Sequence, residues 1–502
     1  LTLPFLFLLL TPLTGARAAV AGCLIANSDG RPATPKNDAL STLFSSFGQC
    51  PENVQALKAL LSGHVLHPSM VANRGFANPR FGSFSFFETV TGSPAQWQPG
   101  EVFFGHFTGA QAGTVTLDQA PSPNKLMIEL IAWDRTKKLF NFYELIGQGG
   151  HARWFYRGDS TDILKDNAAL YLSSPGRPPV FGNTLRCAGC HSSGGPIMKE
   201  ISFPHNDWWT QSRPLTFGPN KVSPEIQKLL AQISPAEDFG QAVRKGIQLL
   251  EDSPTYRAAK AAGSLKTQLR PLFCETEVNL ASDVSPLTSP STVVQVPSAS
   301  LVNPLLARMA LSLPKSDYAR LLRDFQMSFP ETAASDADHA WLVPVKGYSD
   351  FKAIESLVKN GVVRKEFVVD VLAVDMDHPV FSSARCDLLK LIPDSGGLAG
   401  FVQNLRSSPA PAAQELLLNL TTPTRDARFH AHVALQKLQQ AQAALQTVAG
   451  QRDLFRSLIL ARQAVFDSVI SQNPRGQIFE PGFRVIFPRP ANFTFDKPVL
   501  HM

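Results

Sequence analysis

Along these 502 residues the spacing of apolar side chains changes period, and each change predicts a different element. From about 50 to 75, QCPENVQALKALLSGHVLHPSM places Val54, Leu57, Leu60 and Leu61 on one helical face, and Pro68 ends the run. Then the period drops to two. FGSFSFFETVTG, EVFFGHFTGA and KLMIELIAWDRTKKLFNFYELIG are rich in aromatic and branched residues with strand alternation. The last of these reads as a hairpin, Leu126–Trp133 returning as Leu139–Ile146 around a loop Asp134–Lys138. A small antiparallel sheet is therefore expected over about 80–157.

Helical spacing returns downstream. Ser223-Pro224, Ser234-Pro235 and Ser253-Pro254 each set an N-cap oxygen before a proline suited to a first helical turn, and Ser234 with Glu237 makes a capping box. Residues 283–300, DVSPLTSPSTVVQVPSAS, are dense in Ser, Thr and Pro and read as a linker. Beyond them LLARMALSL, DYARLLRDFQM and FKAIESLVKN predict helices, followed by a helical hairpin over about 426–447 and 451–472, broken at Gly450. The final 28 residues, with four prolines, look irregular.

At the other end, an apolar run from Leu1 to Leu13 followed by small residues resembles an export signal without its basic start. Ala16-Arg17-Ala18 and Ala19-Val20-Ala21 suit ordinary cleavage, while Val20-Ala21-Gly22-Cys23 resembles a bacterial lipobox that would anchor Cys23 in lipid. No later stretch approaches ~18 unbroken apolar residues, so no transmembrane span is expected in the mature chain, which is read as periplasmic or exported. The expected fold class is mainly α with a small antiparallel β domain (α+β). The divisions are a signal peptide (1–21), an N-terminal helical segment (22–78), a β domain (79–160), a helical domain that contains Cys187 and His191 (161–282), a linker (283–300) and a C-terminal helical domain (301–502).

Composition narrows the function. A 44% hydrophobic content supports real cores, and the formal charge of +6 is scattered without a basic block, which argues against nucleic acid and allows an acidic partner. Of six cysteines, setting aside Cys187 and Cys190 leaves four, enough for two disulfides in an oxidising compartment. Proximity along the chain pairs Cys23 with Cys50 and Cys274 with Cys386, among three connectivities.

The chemistry concentrates in Cys187-Ala188-Gly189-Cys190-His191, the spacing at which two thiols add across the vinyl groups of haem and the adjacent histidine supplies an axial nitrogen. A thioredoxin-like CxxC would open a helix within a β-α-β unit, and a zinc site would need a second ligand pair; neither context surrounds this motif. In these residues the chain resembles the c-type cytochromes over about 20 positions. The resemblance implies one covalent haem c, with Cys187 and Cys190 as thioether anchors and His191 as proximal iron ligand. Gly194-Gly195-Pro196 is similar to cytochrome c loops in which a backbone carbonyl fixes the proximal imidazole, and Pro196 is the expected acceptor. Bacterial cytochrome c peroxidases and the haem rubber oxygenases are similar only in part, since they carry two such motifs.

The opposite face of the iron decides between electron transfer and catalysis. Met198 is close but stretched if it must round the porphyrin edge; His205, Met376, His378, His106 and His151 are the other candidates. The expected function is one-electron transfer by an exported monohaem c-type cytochrome with a redox partner protein. A haem-dependent oxidoreductase using a small-molecule oxidant, and a haem sensor or complex subunit, are the alternatives. Arg157-Gly158-Asp159-Ser160 matches an adhesion tetrapeptide but is ordinary turn material, and the aromatic residues Trp154, Phe155, Tyr156, Trp208 and Trp209 read as core.

Overall fold

The computed structural model describes residues 23–34, 36–45, 47–72, 84–92, 96–172, 187–188, 191, 193–197, 208–211, 214–215, 217, 220–274, 277–281, 291–325, 343–380, 382–422, 427–458, 460 and 485–486. The leader expected over 1–21 and most of the irregular C-terminus lie outside them. Strands β1 (Val65–Ala72), β2 (Phe84–Thr91), β3 (Val102–Gln111), β4 (Thr114–Leu117), β5 (Leu126–Asp134), β6 (Leu139–Gly147) and β7 (Ala152–Asp159) build one antiparallel sheet. Its spatial order is β1-β2-β3-β5-β6-β7, with β4 paired to the far end of β3. The architecture is α+β, as the change of period indicated.

The anticipated hairpin is present, with Asp134 opposite Leu139. Asp134 Oδ1 accepts the amides of Thr136 and Lys137, both at 2.9 Å, and Lys138 takes φ +58° to complete the turn. The N-terminal helical segment needs correction. A helix occupies only Val54–Leu60, and Val65–Ala72 is a strand despite Pro68. Because β1 is an edge strand, the missing proline N–H costs no inner ladder bond.

Helices α1 (Ala39–Ser45), α2 (Val54–Leu60), α3 (Ser160–Leu172), α4 (Pro224–Ala231), α5 (Ala236–Glu251), α6 (Pro254–Ala262) and α7 (Leu265–Phe273) pack around the sheet or continue from it. Strand side chains alternate between faces, and both faces are covered. On one, Phe86, Phe104, Leu130 and Tyr143 meet Leu40 and Phe44 of α1, Leu57 of α2 and Ile226 of α4. On the other, Phe103, Ile131, Phe140 and Phe142 meet Ile163 of α3 and Phe239, Val243 and Ile247 of α5. Ser223 and Ser253 cap α4 and α6 as read, accepting from Ile226 N and Tyr256 N. Ser234 does not cap α5. Its amide donates to Pro68 O at 2.7 Å and its carbonyl accepts from Ser69 Oγ at 3.0 Å, so β1 holds it out of capping position.

The C-terminal half has its own core, in which Phe273, Leu321, Leu357, Leu372, Phe401 and Leu416 take part. Three readings change here. Val293–Val296, inside the stretch read as a linker, is a strand paired with Leu311–Pro314, which itself lies in the run read as helical. Leu311 and Leu313 point inward and Ser312 does not, so period two prevailed over the leucine spacing. Likewise the break in the helical pair falls at 445–447, and Gly450 lies within the second helix, its amide donating to Thr447 Oγ1.

Disulfides join Cys23 to Cys50 and Cys274 to Cys386. The first engages the sulfur that a lipid anchor would need, and the lipidated form of Cys23 is set aside on that ground. Among the described residues no helix is long and apolar enough to cross a membrane. The string Arg157-Gly158-Asp159-Ser160 is a strand-to-helix junction with Arg157 and Ser160 buried, not a displayed loop.

Burial of the first face traps a charged cluster. Lys58 Nζ lies 2.7 Å from Glu88 Oε1, and His106 Nε2 lies 2.6 Å from the same oxygen. Burial holds His106 below the usual imidazole range even beside Glu88; burial alone would raise Glu88, but His106 and Lys58 keep it below the usual carboxylate range. Both groups therefore bind protons less readily folded than unfolded: the contribution of His106 is present above about pH 6.5 and is lost as pH falls below it, whereas that of Glu88 persists down to about pH 4.5, so His106 governs the range between pH 8 and pH 5. Thermal melts between pH 8 and pH 5 should show the wild type losing stability on acidification and His106→Gln losing less of it. Equal losses in the two proteins would show that His106 is not responsible.

Candidate functional site

Cys187 and Ala188 are helical, and the His191 amide closes the turn on the Cys187 carbonyl at 2.7 Å. Both Cys187 and Ala188 are buried on the second face of the sheet, in the cluster that holds Phe140, Phe142, Ile163 and Leu250. The imidazole of His191, half-buried, meets the ring of Phe142 edge-on at 5.2 Å.

Nδ1 of His191 lies 2.7 Å from the Gly195 carbonyl oxygen. A carbonyl can only accept, so Nδ1 carries the proton and, in the neutral ring, the lone pair belongs to Nε2. That is the tautomer an axial ligand requires. The acceptor is Gly195, one residue before the expected Pro196. Gly194 accounts for the difference: at φ +72° it turns the chain back so that its own amide donates to His191 O at 2.7 Å and the next carbonyl faces the ring.

Neighbouring elements clamp this loop. The Tyr256 hydroxyl, on α6, donates to the Ser193 carbonyl; burial pushes the phenol well above its ordinary range, so it stays protonated and remains a donor. A Cβ on Gly194 would stand 2.6 Å from Ser160 O, at the start of α3. On α5, a Cβ on Gly246 would meet Pro196 Cγ at 2.5 Å and Gly100 O at 2.9 Å. The loop thus rests on three helices and the sheet with almost no room for side chains between.

The structure brings Cys187 and His191 together; Cys190, Met198 and His205 lie outside the described residues. Four proposed distal ligands are placed elsewhere. His106 faces the opposite side of the sheet, paired across from Phe86 and bonded to Glu88. His151 is exposed in the β6–β7 turn, beyond the end of β6 and therefore more than about 15 Å from Phe142 at roughly 3.3 Å per strand residue. Met376 packs on the C-terminal core, and His378 Nδ1 is bonded to Asp375 Oδ1 at 2.7 Å. Other histidines have partners of their own: His64 stacks on Trp97, His67 meets Thr91 Oγ1, and His430 sits beside Asp370. No group of three metal-ligating side chains occurs among the described residues. Sequence reading missed Phe142 and Tyr256 as parts of the site. Alternation marked Phe142 as core without saying which face it serves, and Tyr256 was visible only as the third residue after the Ser253 cap.

The donor set suits a covalently attached haem: a buried thiol at the head of a helical turn, and an imidazole protonated at Nδ1 and oriented by a backbone carbonyl. Comparison with known proteins found no matching family model, no matching curated protein and no matching solved structure.

Gly194 provides a test of the clamp. Gly150 also has positive φ, +87°, but no atom lies within 4 Å of the place a Cβ would take, so alanine there meets only the left-handed backbone cost of about 1–2 kcal/mol. Gly194→Ala adds a backbone collision and should lower the denaturant midpoint clearly more than Gly150→Ala. Equal midpoints would mean that the loop is not held against α3.

Proposed function

We propose that this chain is an exported monohaem c-type cytochrome that transfers single electrons, with Cys187 and Cys190 as thioether anchors and His191 as the proximal ligand. The observation that carries the reading is the 2.7 Å contact between His191 Nδ1 and the Gly195 carbonyl. Hydrogen bonding at the remote nitrogen sets the tautomer, fixes ring orientation and strengthens the other nitrogen as a donor. A structural histidine would need none of these together with a cysteine one helical turn before it. Bound haem would supply a reversible one-electron change at iron.

The chain's own residues prepare that chemistry. Phe142 and the apolar cluster around Cys187 keep water from one side of the imidazole, Tyr256 and Gly246 hold the loop in place, and the two disulfides accord with an oxidising compartment. A redox protein or a small oxidant would be the partner. A second reading, a haem-dependent oxidoreductase with an open distal position, draws on a cavity of about 720 Å³ that borders Ser193 of the same loop.

Haem staining after denaturing electrophoresis tests the attachment. The wild type should stain, and Cys187→Ala combined with Cys190→Ala should abolish the signal; a stain that survives the double substitution overturns the assignment. Visible and electron paramagnetic resonance spectra of the ferric protein then separate the two readings. Low-spin signals indifferent to cyanide are expected for electron transfer, whereas a high-spin iron that binds cyanide would replace it with the enzymatic reading.

A further inference from the structure

The cavity that borders Ser193 opens between α3, α6, α7 and the helix Tyr348–Lys359, and neither Cys187 nor His191 lines it. Its volume of about 720 Å³ is that of a site for a small organic molecule, roughly 300–1,000 Å³. Much of the wall is apolar, from Leu164, Pro271, Ala353, Leu357 and Val362. The charges on it are one-sided: Lys165, Arg257, Lys260 and Arg270 against the single acid Asp350.

Pairing within the wall does not cancel that imbalance. Asp350 is held by Lys346 at 2.9 Å, behind the surface, and Lys260 reaches Glu251 at 3.1 Å. Among the described residues neither Lys165 nor Arg257 has an acid within ion-pair distance, although Asp252 lies near enough to feel the Arg257 charge. Positive charge beside low-dielectric walls attracts an anion more strongly than the same charge on an open surface. A bare inorganic anion would leave the apolar wall uncovered, and a neutral apolar molecule would leave the cations unused.

We propose that this cavity binds an organic carboxylate with an apolar body, its carboxylate toward Arg257 and its body against Leu164, Pro271 and Leu357. The ligand would lie against Ser193, two residues from His191 in the chain. Binding does not require haem, so it stands or falls separately from the cytochrome reading: loss of haem stain would leave it untouched.

Calorimetric titration of the full chain with decanoate and with 2-naphthoate, below any micellar concentration, tests the site. Saturable binding of at least one at a single site is expected, with 1-decanol binding at least tenfold more weakly than decanoate. Ala353→Trp, which fills the cavity, should weaken binding at least tenfold, and Val362→Trp serves if that variant does not give the wild-type circular dichroism spectrum. Arg257→Gln should weaken the carboxylates and leave 1-decanol unchanged. Failure of both carboxylates to bind, affinity unaltered by a folded cavity-filling variant, or equal affinity for decanoate and decanol overturns the proposal.

Discussion

Everything in the first half of the molecule depends on an antiparallel sheet that is buried on both faces. Such sheets commonly keep one face wet, and their strands then alternate apolar with polar side chains. Here α1, α2 and α4 cover one side while α3 and α5 cover the other. Polar residues on the inner strands have nowhere to meet water and must satisfy one another, because an unpaired buried group costs about 1–3 kcal/mol. Glu88 is consequently met by His106 and Lys58, and Glu144 by Arg157, which also reaches Ser28. Asp38 collects Asn141 Nδ2, the Ser41 amide and the Tyr143 hydroxyl, and burial still pushes its carboxyl above the ordinary range.

The same constraint separates structure from chemistry. Asn141 and Tyr143 turn toward Asp38 on one side of β6, while Phe142 between them turns toward His191 on the other. Consecutive residues of one strand therefore serve both a buried polar network and the candidate redox site. The helices on the second face matter because they set the loop that follows His191: α3 offers a backbone oxygen, α5 a glycine and α6 a phenol.

What was legible in the sequence was whatever a short window decides. The hairpin was visible because Asp134 and Lys138 encode its turn within five residues of two alternating runs. The disulfide pairs were visible because the CxxCH motif removes two cysteines and leaves neighbours to join. Less legible was anything set by a distant partner. Pro68 reads as a helix end until one knows that β1 lies at an edge, and Ser234 reads as a cap until Pro68 takes its amide. His106 and Phe142 are both inward-facing strand residues in a linear reading. Only the pairing of β2 with β3 and of β5 with β6 reveals that they serve opposite faces. The CxxCH spacing is plain in the sequence, whereas the carbonyl that meets His191 was displaced by one position because a glycine at φ +72° bends the chain sooner than its spacing suggests.

At Gly100, Pro196 and Gly246, three segments of chain meet with backbone against backbone and ring. Such a junction has no slack: neither glycine can acquire a methyl group unless the helix moves away from the loop. Gly100 and Gly246 therefore belong, for mutational purposes, to the site whose loop they help to hold. Variation screened across this protein would find them nearly as intolerant as the histidine, and a map of intolerance drawn without the structure would mistake them for reactive residues.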